Sequence, residues 1–186
     1  MKLYIKNMVC NRCITAVERV FKDLNLEITA VALGEVETAE DLNSTELRKL
    51  DESLRESGFE ILEDSAQQLI EKVKNEIILL VDGLDIPEDF ILSKWISEKL
   101  HRDYSAVSKL FSQNENVTLE QYFILQKIEK VKELLLYDEF SLTEISGQLG
   151  YKSVQHLSSQ FKNITGFTPS GFKKLKIKNR IPLDEI

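Results

Sequence analysis

Residues 141–174 constrain the fold of this chain more than any other stretch. They open with Ser141 and Glu144 in a Ser-x-x-Glu pattern, which is typical of a capping box at the start of a helix. Gly150 follows where a glycine commonly ends a helix, because it adopts the left-handed cap conformation at little cost. Ser153 can then cap a second helix. The pattern predicts two short helices joined by a tight turn.

The second predicted helix has two different faces. Leu157 and Phe161 lie four positions apart, so they share one face and are expected in the core. The opposite face is polar and carries Gln155, Ser158, Ser159 and Lys162. The stretch is therefore expected to form a helix-turn-helix unit with a polar outer surface.

Charge is distributed unevenly along the chain. The whole chain carries a formal net charge of −7, yet residues 151–180 hold seven Lys or Arg and no Asp or Glu. Two adjacent helices with local positive charge indicate a DNA-binding unit, since phosphate neutralisation supplies much of the affinity. The pattern alone also fits a helical hairpin with a solvated basic tail.

Composition narrows the classes further. No apolar run approaches the roughly 20 residues of a membrane span, and the polar N-terminus does not resemble a signal peptide. A cytoplasmic protein without membrane contact is expected. The sequence shows no phosphate-binding loop, nucleophile–base pair or paired carboxylates in a recognisable setting, so no enzyme is expected.

The N-terminal part, residues 1–64, alternates strand and helix signals. Leu3 and Ile5 alternate with polar residues as in a half-buried strand, and a helical apolar stripe follows over residues 16–24. Gly34 separates two further strands, and Asn43 is expected to cap the next helix. With a last short strand after Gly58, the order is βαββαβ, which predicts an α+β ferredoxin-like domain.

The only two cysteines, Cys10 and Cys13, form a Cys-x-x-Cys between the first strand and the first helix. The helix N-terminus and Arg12 are expected to favour the thiolate forms. Soft sulfur ligands favour Cu(I) or other thiophilic ions, and two ligands are too few for a closed tetrahedral zinc site. A reversible disulfide and an unused site in a protein-interaction module remain open alternatives.

This region resembles the heavy-metal-associated domain of copper chaperones and metal-transporting ATPases. The resemblance lies in the Met8-Val9-Cys10-Asn11-Arg12-Cys13 motif, the βαββαβ order and the Gly58-Phe59 pair. It implies that Cys10 and Cys13 are metal ligands and that Met8 packs under the loop. The absence of an acidic residue directly before Cys10 favours Cu(I) within that family.

Residues 65–87 read as a helical connector with an apolar stripe. A helix this apolar needs a partner. It either packs on one of the flanking domains or pairs with its copy in a homodimer. A homodimer through the N-terminal domain or through this connector is therefore one expectation.

The C-terminal part, residues 88–178, is predicted to be all-α, with residues 179–186 as a tail. A first helix pair has its second helix capped by Ser105. A long helix over residues 119–136, capped by Thr118 and Gln121, leads to the second pair. The two pairs echo each other, with Phe111 and Phe161 fifty positions apart.

This arrangement resembles the tandem helix-turn-helix DNA-binding domain of AraC-type transcription regulators. The matching residues are Ile145, Gly150-Tyr151, Leu157-Ser158, Phe161-Lys162, Gly166, Thr168-Pro169 and Phe172-Lys173. The resemblance implies that double-stranded DNA is the partner. It also implies that the second helix of each pair enters a major groove.

By position, the resemblance assigns base-contact candidates to both recognition helices. They are Tyr104, Ser105 and Lys109 in the first unit and Val154, Gln155 and Ser159 in the second. The phosphate-contact candidates are Lys152, Lys162, Thr168, Lys173 and Lys174.

The sequence therefore predicts a sequence-specific DNA-binding transcription regulator, responsive to a thiophilic metal such as Cu(I) at Cys10 and Cys13. The alternative is a metal-carrier or protein-interaction module whose helix-turn-helix half does not read DNA. His101 and His156 are expected to be surface or packing residues rather than ligands.

Overall fold

The computed structural model describes residues 1–175, 180–183 and 186 of the 186-residue chain. They form two compact units, Met1–Asn75 and Glu76–Ile186. The division falls within one long helix, α3 (Ser65–Asp82), which takes up most of the stretch predicted to be a helical connector. The lysines at positions 176 and 178, and with them the end expected for the C-terminal domain at 178, lie outside the described residues.

The N-terminal unit contains a small sheet and the helices that follow its strands. Its elements before α3 are β1 (Lys2–Lys6), α1 (Asn11–Asp23), β2 (Ile28–Ala32), β3 (Glu35–Thr38), α2 (Ser44–Glu56) and β4 (Glu60–Ile61). The strand order in the sheet is β2-β3-β1-β4, and every neighbouring pair is antiparallel. β1 is therefore central, which places the loop after it at one end of the sheet.

Apolar alternation and helical stripes build the core of this unit. Leu3 and Ile5 on β1 are buried, as their alternation predicts. The buried cluster comprises Leu3, Ile5, Met8, Val17, Phe21, Val36, Leu50, Leu54 and Phe59. The predicted capping box at α2 is present: the Asn43 side chain accepts from the Glu46 amide, and the Glu46 carboxylate accepts from the Asn43 amide.

The C-terminal unit is helical in its described part. After the end of α3 its helices are α4 (Leu92–Leu100), α5 (Tyr104–Asn114), α6 (Leu119–Tyr137), α7 (Leu142–Gln148), α8 (Val154–Thr165) and α9 (Pro169–Lys173). The pairs α4–α5 and α7–α8 precede and follow α6 in the chain. The echo between the pairs is structural, because Val107, Phe111, Leu157 and Phe161 are all buried.

One predicted helix cap in this unit is wrong and another is confirmed. Ser105 does not cap α5, because Tyr104 is already helical and the Asp103 carboxylate accepts from the Ala106 amide at 3.0 Å. Thr118 caps α6 as predicted, with its hydroxyl accepting from the Gln121 amide at 3.1 Å.

Hydrophobic length sets a limit on membrane insertion. Within the described residues, every helix is too short or too polar to cross a membrane.

Candidate functional site

The turn between α7 and α8 is built by local sequence. Ser141 and Glu144 form the predicted capping box at the start of α7. Gly150 has φ +66°, the left-handed conformation that favours glycine, so α7 ends where predicted. Ser153 then caps α8, with its hydroxyl accepting from the His156 amide at 3.1 Å. The second helix-turn-helix unit is thus formed as its sequence indicates.

α8 presents a polar face away from its buried residues. Leu157 and Phe161 are fully buried, as predicted. Gln155 and Ser159 are exposed, and Val154 beside them is partly buried. The amide of Gln155 and the hydroxyl of Ser159 therefore offer hydrogen-bonding groups on an accessible helix face.

α5 offers a different surface in the first unit. Ser105 and Lys109 are exposed, whereas Tyr104 is partly buried and its hydroxyl donates to the Glu120 carboxylate on α6. Burial, followed by this hydrogen bond, raises the pKa of Tyr104 far above its ordinary value. The same hydrogen bond lowers the pKa of Glu120. The Tyr104 hydroxyl proton is consequently engaged within the protein.

The phosphate-contact candidates differ in their exposure and in the hydrogen bonds that their side chains make within the protein. Lys152, Lys162 and Lys174 are exposed. The Thr168 hydroxyl accepts from the Gly171 amide at 3.1 Å and so caps α9. Lys173 donates to Asp138. Part of the predicted contact set is therefore committed to intramolecular bonds.

Arg180, which the sequence counts in the basic stretch, is also paired. It donates to the Glu133 carboxylate on α6 at 2.9 Å. Its partner lies 47 positions earlier in the chain, and the Asp138 partner of Lys173 lies 35 positions earlier. Acids distant in sequence thus neutralise two cations of the basic stretch.

Lys127 on α6 is a buried cation that sequence reasoning missed. It is 7% exposed, and its Nζ donates to the Leu149 carbonyl at 2.9 Å. Nζ also lies 3.8 Å from the centroid of the Tyr151 ring and 5.2 Å from that of Phe123. Burial lowers the pKa of Lys127 to about 8. A lysine that lies four residues after Phe123 and four before Val131 was the available signal.

The cysteine loop lies in the N-terminal unit. Cys10 is the exposed N-cap of α1, and Cys13 lies half-buried in its first turn. Their Sγ atoms are 3.4 Å apart. Burial raises the pKa of the Cys13 thiol, so the expectation of a favoured thiolate there is wrong. Met8 is fully buried, which fits the packing role predicted for it.

The donor set fits a soft ion held by two sulfurs better than a closed site. Zn–S bonds of about 2.3 Å at the tetrahedral angle would separate two sulfurs by roughly 3.8 Å. The observed pair, 3.4 Å apart, would open by a few tenths of an ångström for that geometry and by roughly 1 Å for a linear two-coordinate ion with bonds of similar length, and Cys10 is exposed. Among the described residues no group of three or more His, Cys, Asp or Glu could hold a metal. A two-coordinate ion, or a site completed by another molecule, matches these residues.

Hydrogen bonds donated by Asn7 connect the cysteine loop to neighbouring parts of the N-terminal unit. It has φ +69°, and its backbone amide donates to Glu71 Oε1 on α3 at 2.8 Å. Its side-chain amide donates to the Gly58 carbonyl at 2.9 Å. The segment directly before the cysteines is therefore bonded to α3 within the N-terminal unit.

The two histidines lie at helix surfaces in the C-terminal unit, as predicted. His101 ends α4 in the left-handed conformation with φ +52° and is exposed. His156 is exposed on α8, and its ring meets the Tyr151 ring edge-on at a centroid distance of 5.3 Å.

Comparison with known proteins supports the helix-turn-helix assignment. Residues 96–175 match the family described as helix-turn-helix domain. The chain is 30% identical over 79 residues to the Msm operon regulatory protein of Streptococcus mutans serotype c. That match covers 42% of this chain and 28% of the relative, so the chain spans little more than a quarter of the relative's length.

A solved structure shows the same fold. It is the C-terminal domain of AraT, a response regulator from Geobacillus stearothermophilus, with a TM-score of 0.52 and 20% identity. The match covers 63% of this chain and 91% of that structure. The described helical part thus shares its fold with that domain, and residues 96–175 are similar to the helix-turn-helix domain family.

Proposed function

We propose that the helix-turn-helix domain is of AraC type and that the chain is a transcription regulator that binds double-stranded DNA. The observation that carries the proposal is the pair of helix-turn-helix units, each with an exposed face on its second helix. α5 and α8 have the length and the polar outer residues that a major groove admits. The Msm operon regulatory protein supports a regulatory role by its name.

The exposed groups suit different parts of this task. Gln155 can bond adenine through both its carbonyl and its amide, and Ser159 can bond several base edges. Lys152 lies exposed in the turn before α8, and Lys162 lies exposed in its last turn, where both can contact phosphates. Affinity is expected to come from the lysines and base preference from Gln155 and Ser159.

In vitro selection from a random duplex pool, followed by fluorescence anisotropy on the selected duplex, tests the proposal. Gln155→Ala should relax the preference at one base pair by about 1–3 kcal/mol. Lys152→Gln should weaken binding to all duplexes and reduce the slope of log affinity against log salt by about 1. Lys49→Gln removes an exposed lysine on α2 and serves as the matched control.

Two results of these experiments would count against the proposal. Selection without any enriched sequence at low salt would overturn the proposal. A salt slope that falls equally for Lys152→Gln and Lys49→Gln would show that binding is not centred on the second unit.

For the N-terminal unit we propose a ferredoxin-like fold that holds a thiophilic ion such as Cu(I) at Cys10 and Cys13. The element order and the antiparallel strand order β2-β3-β1-β4 support the fold. The adjacent sulfurs support the ligand class. The hydrogen bond from Asn7 to Glu71 supports a route by which an ion at the cysteine loop alters how that loop is bonded to α3.

Anaerobic titration of Cu(I) against a chromogenic chelator tests the metal site. The wild-type chain should compete for one ion, and the Cys10→Ser/Cys13→Ser variant should not. Equal competition by both proteins would remove the metal role. Cu(I) should change the DNA affinity of the wild type. Glu71→Ala removes the acceptor of the Asn7 amide and should bind Cu(I) like the wild type but show a smaller change in DNA affinity.

The alternative is a metal-carrier or protein-interaction module whose helical half does not read DNA. The ion pairs that occupy Lys173 and Arg180 favour it, since they reduce the free positive charge of the basic stretch. Cu(I) binding together with absent DNA selection would support this alternative.

A homodimer through the N-terminal unit or α3 is part of the proposal. Leu79 on α3 is 51% exposed, so its side chain is accessible to such an interface. Light scattering of the wild type and of Leu79→Gln tests it. A monomer at micromolar concentration in both would exclude the dimer.

A further inference from the structure

The turn that orients α8 is tied to α6 by one buried side chain. Leu149 is the C-cap residue of α7, and its carbonyl accepts from Lys127 Nζ at 2.9 Å. Tyr151, two residues later, is 4% exposed and presents its ring to the same Nζ at 3.8 Å. Lys127 therefore contacts the chain on both sides of Gly150.

The contact continues into the recognition helix. The Tyr151 hydroxyl donates to Gln160 Oε1 on α8 at 2.8 Å. A single path thus runs from α6 through Lys127 and the Tyr151 ring to α8. A buried cation in such a place is costly, and here a carbonyl and an aromatic face offset part of the cost.

The opposite side of the turn is fixed as well. The Ile86 amide donates to the Gln148 carbonyl at 3.0 Å, and Ile86 forms an isolated parallel bridge with Leu149. The turn is thus held between α6 and the segment before α4. It has little freedom to change the angle at which α8 leaves it.

We propose that Lys127 is a positioning residue for DNA recognition, which sets the orientation of α8 by holding Leu149 and Tyr151. This inference rests on the proposed DNA-binding function. Because Lys127 is buried, it does not contact phosphate. Its loss should impair sequence-selective binding and leave the electrostatic, sequence-independent part unchanged.

Lys127→Met tests the proposal against two controls. We expect affinity for the selected duplex to fall by roughly tenfold, because the turn loses the charged hydrogen bond that holds α8 in its binding orientation. Affinity for a shuffled duplex and the salt slope should not change. Lys127→Arg keeps a cation and N–H donors and should restore most of the selective binding.

Lys132→Met is the matched control for a purely structural effect. Lys132 is another buried lysine of α6, but it pairs with Glu129 rather than with the turn. It should lower the unfolding midpoint yet keep the ratio of selected to shuffled affinity. Titration of the active fraction separates unfolded protein from weakened binding.

Hydrogen exchange of the free protein adds a readout that does not need DNA. Lys127→Met should accelerate exchange at Tyr151 and in the first turn of α8, whereas Lys132→Met should not. Unchanged exchange, or an unchanged affinity ratio in Lys127→Met, would overturn the positioning role. Absent selection by the wild type with accelerated exchange in Lys127→Met would instead refute the proposed function alone.

Discussion

Replacing Gly150 by alanine should destabilise the C-terminal unit more than any other glycine-to-alanine change in its helix-turn-helix part. Gly150 has φ +66°, and an added Cβ would lie 2.7 Å from Ile86 Cγ2 and 2.8 Å from the Pro87 carbonyl oxygen. The left-handed backbone costs a side chain roughly 1–2 kcal/mol. Forcing an extra methyl against packed atoms adds about 1–3 kcal/mol. The expected loss in free energy of unfolding is therefore about 2–5 kcal/mol.

Two other glycines separate these contributions. Gly166 has φ +80° but open space around its Cα, so Gly166→Ala should show only the strain of roughly 1–2 kcal/mol. Gly147 lies within α7, has open space and lacks the positive φ, so Gly147→Ala should stabilise by about 0.5–1 kcal/mol.

Urea denaturation followed by tryptophan fluorescence gives the measurement. The single tryptophan, Trp95, lies on α4 and reports on the C-terminal unit. If Gly150→Ala cost no more than Gly166→Ala, the close packing of the turn against Ile86 and Pro87 would be refuted.

Further predictions concern caps, burial and pH. Asp103→Ala should lower the unfolding free energy by about 1 kcal/mol in urea denaturation, and Ser105→Ala should change it little, because Asp103 is the cap. Phe161→Ala should cost about 3–5 kcal/mol in the same assay, and Ile164→Ala much less, since Phe161 is fully buried and Ile164 is 41% exposed. The pKa of Lys127 is lowered from 10.5 to about 8, so the folded state binds fewer protons between these values. The contribution of Lys127 to the free energy of unfolding should thus rise by about 1 kcal/mol from pH 7 to pH 9. This gain is lost as the pH falls through 8. Parallel urea titrations of the wild type and Lys127→Met would show this difference, and parallel pH curves would contradict it.

Local signals predicted the helical unit well because they act over a few residues. The capping box at Ser141, the cap at Ser153 and the left-handed Gly150 depend only on neighbouring backbone groups. Periodicity likewise placed Leu157 and Phe161 in the core. Such features are determined within one helical turn.

Long-range pairing could not be predicted in the same way. Lys173 and Arg180 were counted as free positive charge, but Asp138 and Glu133 pair with them across the fold. The cap of α5 was misplaced because Ser and Asp are both good cap residues and local sequence does not choose between Asp103 and Ser105.

The protonation state of the cysteine pair could not be predicted from the sequence. The helix N-terminus and Arg12 pointed to thiolates, yet desolvation of Cys13 is the largest influence on its pKa and acts in the opposite direction. Burial of a side chain in the first turn of a helix depends on how that turn packs, which the Cys-x-x-Cys spacing does not encode.

Anisotropy of the selected and shuffled duplexes, measured for the wild type and for Gln155→Ala/Ser159→Ala, tests the central claim most directly. We expect the wild type to prefer the selected duplex by at least about tenfold. The double variant should lose that preference and keep the salt slope, because the lysines are untouched. Equal affinity of the wild type for both duplexes would contradict sequence-specific DNA recognition by α8.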